Sequence, residues 1–264
     1  MNLMTLPRVT ILIPVHNDEK YIRKAIDSAV GQKYNGLLQV FVVDDGSTDD
    51  SWKIVNDLFE SVTKENTVAD LQLKSGKYKD VQLTVVKRPL AGGPSAARNT
   101  GIKLTINHTD IYAMLDSDDE FYPNKVKKCV NLMSTNPQVI GAVYADYDTH
   151  DTNTGKTIRE FKEPFSRRRL VEECIVHSGS VVNKTALEAV VEETGYYDEL
   201  MRTCEDYDLW MRISEKFIIA HIPESLTFVR ITNESSTATV DQEIWKQNWL
   251  RVMEKLHQRN HEIQ

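Results

Sequence analysis

The sequence predicts an α/β fold in which a mostly parallel central sheet carries helices on both faces. Three observations predict it. Four short apolar runs, at residues 9–13, 40–43, 83–86 and 112–115, alternate with stretches whose apolar residues recur at helical spacing. The runs are continuous and do not alternate with polar residues, which is the pattern of strands buried on both sides. Two of them end abruptly in carboxylates, Asp44-Asp45 and Asp116 to Asp119. A parallel sheet places its ligands outside the carboxyl ends of its strands.

In chain order, the first run stops at Pro14, and Ile22, Ala25, Ile26, Ala29 and Val30 then mark a helix over about 19–30, with Asn17 or Asp18 available as N-cap. After the second run, Ser47-Thr48-Asp49-Asp50 resembles a capping box. Trp52, Val55, Leu58, Phe59 and Val62 form the stripe of the helix it opens. Residues 63–80 are polar and lysine-rich and read as a surface excursion without regular structure. A turn at 91–95 follows the third run, then a helix over about 96–106 that carries Arg98 and Asn99.

Pro123 suits the first turn of a helix reaching about residue 134, with Val126, Cys129, Val130 and Met133 on one face. A strand at 139–147, a polar hairpin tip at 148–156 and an irregular charged stretch at 161–169 come next. Residues 175–183 read as a strand opening on His177-Ser178-Gly179-Ser180, and 185–194 as a helix ended by Gly195. Glu205 and Asp206 open another helix, and 218–222 and 226–231 read as two short strands. Val240, Ile244, Trp245, Trp249, Val252 and Leu256 mark an amphipathic helix over 240–257 that packs on the rest of the chain.

Composition excludes several classes of function. A net charge of −7 leaves no basic face for broad phosphate neutralisation, so nucleic acid is not an expected partner. Arg167-Arg168-Arg169 reads as a solvated surface run. Cys129, Cys174 and Cys204 are odd in number and form no CxxC pair, which fits reduced thiols in the cytoplasm. No leader is visible at the N-terminus, and no stretch approaches the roughly 20 apolar residues of a membrane span. No GxGxxG follows the first strand and no GxxxxGK[ST] occurs, so neither a dinucleotide fold nor a P-loop is indicated.

The acids carry the chemistry. Any one cluster has a plain reading as a helix cap. Placed at one sheet edge, however, Asp44-Asp45 and Asp116 to Asp119 would raise each other's pKa unless a cation neutralised them. Hard divalent cations, magnesium or manganese, choose carboxylate oxygen and are commonly held by one or two carboxylates plus substrate phosphates.

Five segments then resemble, in order, the motifs of family 2 glycosyltransferases. They are Ile13-Pro14-Val15-His16-Asn17, Val43-Asp44-Asp45-Gly46-Ser47-Thr48-Asp49, Gly93 to Gly101 around Arg98-Asn99, Leu115-Asp116-Ser117-Asp118-Asp119, and Glu205-Asp206-Tyr207-Asp208-Leu209-Trp210. The resemblance implies an inverting, metal-dependent enzyme with the Rossmann-like GT-A fold. It transfers a sugar from a nucleotide diphosphate sugar, most readily a UDP-sugar, to an acceptor hydroxyl. It also implies that Pro14, His16 and Asp44 line the base and ribose pocket, and that Arg98 lies near the base or diphosphate. Asp116 and Asp118 form the DxD motif, Asp118 on the metal and Asp116 on the ribose or a metal-bound water, while Asp206 is the general base. His177 and Glu205 are candidates for the acceptor side, and Asp119 for a helix cap. Thr232 stands where many members carry a histidine, which puts a contact from that position in doubt.

Trp210 and Trp249 read as packing residues, and His221 as core. Residues 1–236 are expected to form the catalytic domain, with a donor half to about 122 and an acceptor half from about 123. Residues 237–264 form a helical extension. The acceptor is a saccharide, lipid-linked saccharide or protein, met in the cytoplasm or at the inner membrane face without a spanning segment. A metal-dependent nucleotidyltransferase and a nucleotide-sugar-binding module without turnover are the alternatives.

Overall fold

The four apolar runs form four mutually parallel strands at the heart of one mixed sheet. The computed structural model describes residues 6–262; residues 1–5, on which the absence of a leader was read, lie outside them. In chain order the elements are β1 (Val9–Val15), α1 (Ile22–Val30), β2 (Leu38–Asp44), α2 (Ser51–Asn56), β3 (Ser61–Val68), β4 (Leu71–Tyr78), β5 (Val81–Lys87), α3 (Pro94–Thr105), β6 (Ile111–Met114), β7 (Glu120–Phe121) and α4 (Lys125–Ser134). The second half adds β8 (Ile140–Asp151), β9 (Thr157–Glu160), α5 (Arg167–Glu172), β10 (Val181–Asn183), α6 (Lys184–Ala189), α7 (Glu205–Lys216), β11 (Ile218–Ile231), α8 (Ser236–Thr239) and α9 (Gln242–Glu262).

The strand order is β3-β4-β5-β2-β1-β6-β10-β8-β11-β7, with β9 paired to β8. Strands β5, β2, β1 and β6 run parallel. The antiparallel β10 then joins that block to β8, which pairs parallel with β11.

Alternate residues of each central strand point to opposite layers. Val9, Ile11, Ile13 and Val15 face α1, α2 and α4, whereas Leu12 faces the layer that holds α3, α5, α6, α7 and α9. The helical residues predicted for α1 and α4 are buried on the first layer, and Val252 and Leu256 of α9 on the second. Each fully buried aliphatic side chain of this kind contributes about 1.5–3 kcal/mol.

Several expectations need correction. Helix α2 ends at Asn56, and Val62 lies on β3 with 48% of its surface exposed. The excursion is a regular hairpin: β4 pairs antiparallel with β5, and β3 pairs antiparallel with β4 at the sheet edge. Its two tight turns put Ala69-Asp70 at φ 48° and 67° and Lys79-Asp80 at φ 48° and 63°. Hairpin turns of this hand usually announce themselves by Asn-Gly or glycine pairs, so these carried no signal. Neither Asn17 nor Asp18 caps α1 with its side chain; Asn17, at φ 53°, instead accepts from Thr48 N at 2.8 Å and ties the loop after β1 to the loop after β2. Only Val181–Asn183 of the 175–183 stretch is strand. The two short C-terminal strands are one, β11, irregular between Ile222 and Ser225 around Pro223. Trp210 is buried as expected, but Trp249 is 42% exposed, because α9 turns Asn248 and Val252 inward instead.

At Gly76 of β4, an added Cβ would sit 1.9 Å from the Ser61 carbonyl oxygen, which is backbone and cannot rotate away. Gly76→Ala should therefore lower unfolding stability by about 1–3 kcal/mol, read from the urea midpoint at unchanged m-value. A stability within about 0.3 kcal/mol of wild type would mean that the hairpin does not hold this register.

Candidate active site

Strand register brings the acids together. Val15 pairs with Asp44, Asp44 with Lys87, and Leu12 with Met114, so the exits of β1, β2, β5 and β6 lie side by side. Asp44 is buried at the end of β2; its Oδ1 accepts from Ser47 N at 2.9 Å. Its Oδ2 is buried and has no partner among the described residues. A buried acceptor left unpaired is costly, and an N–H of a bound nucleobase would satisfy it. Pro14 is buried beside it in β1. His16 is exposed at the rim and donates through Nδ1 to the Asp45 carbonyl at 2.8 Å.

Asp45 does not share Asp44's environment. It is bonded to Arg88 and accepts from the amides of Gly92 (3.0 Å) and Gly93 (2.7 Å). The expected cation for the Asp44-Asp45 pair is therefore, for Asp45, an arginine of the chain. Its role is to pin the loop that leads into α3. Arg88 had no motif of its own in the sequence, but it follows directly on Lys87, the residue level with Asp44.

Arg98, on α3, is the centre of the site. It is 4% exposed and donates from Nη2 to Asp116 Oδ1 at 2.6 Å and from Nη1 to Glu205 Oε1 at 2.7 Å. Tyr197 backs it, with its ring centroid 5.3 Å from the guanidinium carbon. Ser178 donates to the second oxygen of Asp116 at 2.9 Å. Burial raises the Asp116 carboxyl, but Arg98 and Ser178 more than offset it and hold it below its usual range. Arg98 thus joins the acids after β6 to those opening α7, which lies 107 positions beyond it in the chain.

Asp118 and Asp206 are left without a cation. No lysine or arginine among the described residues forms an ion pair with either, and both are half-buried. Burial pushes Asp118 up to about 7, with Asp116 and Asp18 adding like-charge repulsion. Burial also pushes Asp206 up to about 7, with Glu205 adding to it and Arg98 opposing. The Asp206 carboxylate accepts from its own neighbour, Tyr207 N, at 2.7 Å.

Among the described residues, no three His, Cys, Asp or Glu side chains converge into a complete metal cage. A divalent cation at Asp118 and Asp116 would be held by one or two carboxylates and completed by a ligand's phosphate oxygens.

Asp119 is not a helix cap. Helix α4 begins six residues later, at Lys125, and Asp119 accepts from Arg230 N at 3.0 Å while burial and Asp118 raise its carboxyl. Arg230 also donates to the Asp118 carbonyl at 2.5 Å and pairs with Glu120, so β11 fixes the acidic loop from below. Thr232 is buried, and its hydroxyl accepts from Glu234 N at 3.2 Å. His177 accepts from Gly179 N at 2.9 Å and packs on Tyr147, and burial pushes it down to about 3. Glu205 is buried on Arg98. His221 bonds Asp146 at 2.9 Å.

The sequence profile of Glycosyl transferase family 2 matches residues 10–194. An uncharacterized glycosyltransferase of Rickettsia prowazekii is 27% identical over 95% of this chain and 73% of its own length. TarS 1–349 of S. aureus, solved in complex with UDP-GlcNAc, superposes with TM-score 0.71 at 18% identity, over 94% of this chain and 65% of that one. A mannosyltransferase of Pyrobaculum calidifontis, solved with GDP-Man and Mn2+, gives TM-score 0.62 at 18% identity, over 88% of this chain and 59% of that one. At such identities the structural likenesses speak to the fold, which is that of the GT-A glycosyltransferases.

Asp45→Ala would leave the half-buried Arg88 without its carboxylate and two loop amides unpaired. It should cost about 2–3 kcal/mol of unfolding stability in urea. A loss below about 1 kcal/mol would show that the loop does not depend on this pair.

Proposed function

The chain belongs to glycosyl transferase family 2, and from that premise we propose that it transfers a sugar from a nucleotide diphosphate sugar to an acceptor hydroxyl with inversion at the anomeric carbon. The observation that supports this is the Arg98 bridge between Asp116 and Glu205, which stand within two residues of Asp118 and directly before Asp206 in the chain. Pro14, His16 and the unpaired Asp44 Oδ2 form the base end of the pocket. Asp116, held by Arg98 and Ser178, supports the ribose side. Glu205 anchors the start of α7.

Asp118, with Asp116 beside it, would hold Mn2+ or Mg2+, and the cation would supply positive charge for the departing diphosphate. Asp206 accepts the proton of the acceptor hydroxyl as that oxygen attacks the face opposite the nucleotide. A carboxylate with pKa near 7 is a far better base near neutral pH than an ordinary one.

A UDP-sugar is the proposed donor, and a saccharide or glycoconjugate the acceptor. Catalysis resides in residues 1–236, with 237–264 as a helical extension. Among the described residues no helix is long and apolar enough to cross a membrane; we place the reaction in the cytoplasm or peripherally at the inner membrane face. A nucleotidyltransferase would need a glycine-rich basic loop after β1, where this chain has Pro14-Val15-His16-Asn17-Asp18.

UDP-GlcNAc or GDP-Man should raise the melting temperature only when Mn2+ is present, and flat curves across such donors would sink the proposal. Asp206→Asn should lower nucleotide release about 10²- to 10⁴-fold while leaving donor affinity within threefold; full activity in that variant would remove Asp206 as the base.

The pH dependence has a definite sign. A raised carboxyl is charged only above its pKa, so kcat should fall about tenfold per unit below pH 7 as Asp206 protonates. The fall in kcat/KM should be steeper, because Asp118 in the free enzyme must also ionise. Rates independent of pH between 5 and 8 would contradict this.

A further inference from the structure

We propose that Lys255, on α9, is a positioning residue for Asp206: its ammonium locks the helix that carries the base and the loop that backs Arg98 into one geometry. This rests on Asp206 being the base. Lys255, Asp198 and Asp208 lie beyond the matched family segment, which ends at 194.

Lys255 Nζ lies 2.7 Å from Glu192, 3.1 Å from Asp198 and 2.9 Å from Asp208. The ammonium donates hydrogen bonds to Asp198 and Asp208, and Glu192 completes the ion cluster around it. The side chains of Asp198 and Asp208 are wholly buried, so neither has solvent as a substitute partner.

Asp208 stands in the first turn of α7, two residues after Asp206. The same carboxylate oxygen accepts from Arg212 Nε at 2.9 Å, and Arg212 donates onward to the carbonyls of Val190 and Tyr196 at 2.5 and 2.7 Å. Asp198 also accepts from Arg251 at 2.9 Å. It follows Tyr197, whose ring backs Arg98 and whose backbone is clamped on both sides by Asn99 at 2.8 and 2.9 Å. One cation therefore reaches the site by two routes. The first runs through Asp208 to the base, and the second through Asp198 and Tyr197 to the arginine that holds Asp116 and Glu205.

Two further features fit this role. Asn248 of α9 donates to Thr203 Oγ1 at 2.9 Å, just before α7 begins. Between Thr203 and Glu205 the chain passes through Cys204 at φ 61°. A non-glycine residue keeps such a conformation only where its surroundings impose it. A base displaced by about 1 Å costs on the order of 10²-fold in rate, so rigid seating of α7 has catalytic consequences.

The test uses the full chain carrying Lys255→Met or Lys255→Arg, with Mn2+ and whichever of UDP-GlcNAc and GDP-Man the wild type turns over. Lys255→Met should lower kcat for nucleotide release at least tenfold with KM for the donor within threefold, and move the acidic limb of the kcat profile. Lys255→Arg, which keeps the charge, should return kcat to within threefold. Amide exchange over residues 203–210 should rise at least tenfold in Lys255→Met while β1 and β6 stay protected. Unchanged kcat and unchanged exchange at 203–210 would overturn the proposal, as would a loss confined to KM. If Lys255→Met shows no cooperative melting, Asn248→Ala carries the same exchange and kcat measurements. A wild type that releases no nucleotide, alongside raised exchange in the variant, would count against Asp206 as base and leave the coupling supported.

Discussion

A single buried guanidinium sets the terms for the rest of this site. Arg98 cannot lose its proton and has almost no water around it, so the fold must supply carboxylates, and it supplies Asp116 from one strand end and Glu205 from a distant helix start. Removing Arg98 would leave both carboxylates without their cation, which is why these elements are held in register by electrostatics as well as by packing. The bidentate fork of an arginine suits this task better than the point charge of a lysine.

The division of labour among the acids follows. Asp45 pairs with Arg88, and Asp116 and Glu205 share Arg98. Burial, with repulsion from Asp116 and Asp18 on Asp118 and from Glu205 on Asp206, pushes these two carboxyls up to about 7. Asp44 differs again: one oxygen is satisfied by the Ser47 amide and the other is buried with no partner among the described residues.

The scaffold explains why these residues converge. Parallel pairing of β5, β2, β1 and β6 aligns the carboxyl ends of four strands on one edge, and β10 then reverses direction to bring Ser178 under Asp116. The C-terminal half is tied on by charge. Arg230 of β11 braces the acidic loop, and the lysine and arginines on the inner face of α9 meet the carboxylates of α7 and of the loop before it.

Residues 9–13, 40–43, 83–86 and 112–115 were legible as strands because continuous β-branched and apolar runs have few other uses, and α1 and α4 because their apolar residues repeat at 3.6. The ordered motifs likewise marked Asp44, Asp116, Asp118 and Asp206 as residues of one family pattern. By itself, then, the sequence determined the α/β class, the parallel block and the family. Tertiary structure alone decided that Asp45 belongs to Arg88, that Arg98 bridges Asp116 to Glu205, that Trp249 faces outward, and that 61–78 is a hairpin turned by Ala69-Asp70. The physical reason is common to all four. Periodicity and propensity are local along the chain, whereas charge pairing, burial and left-handed turns built without glycine depend on which distant segment arrives alongside.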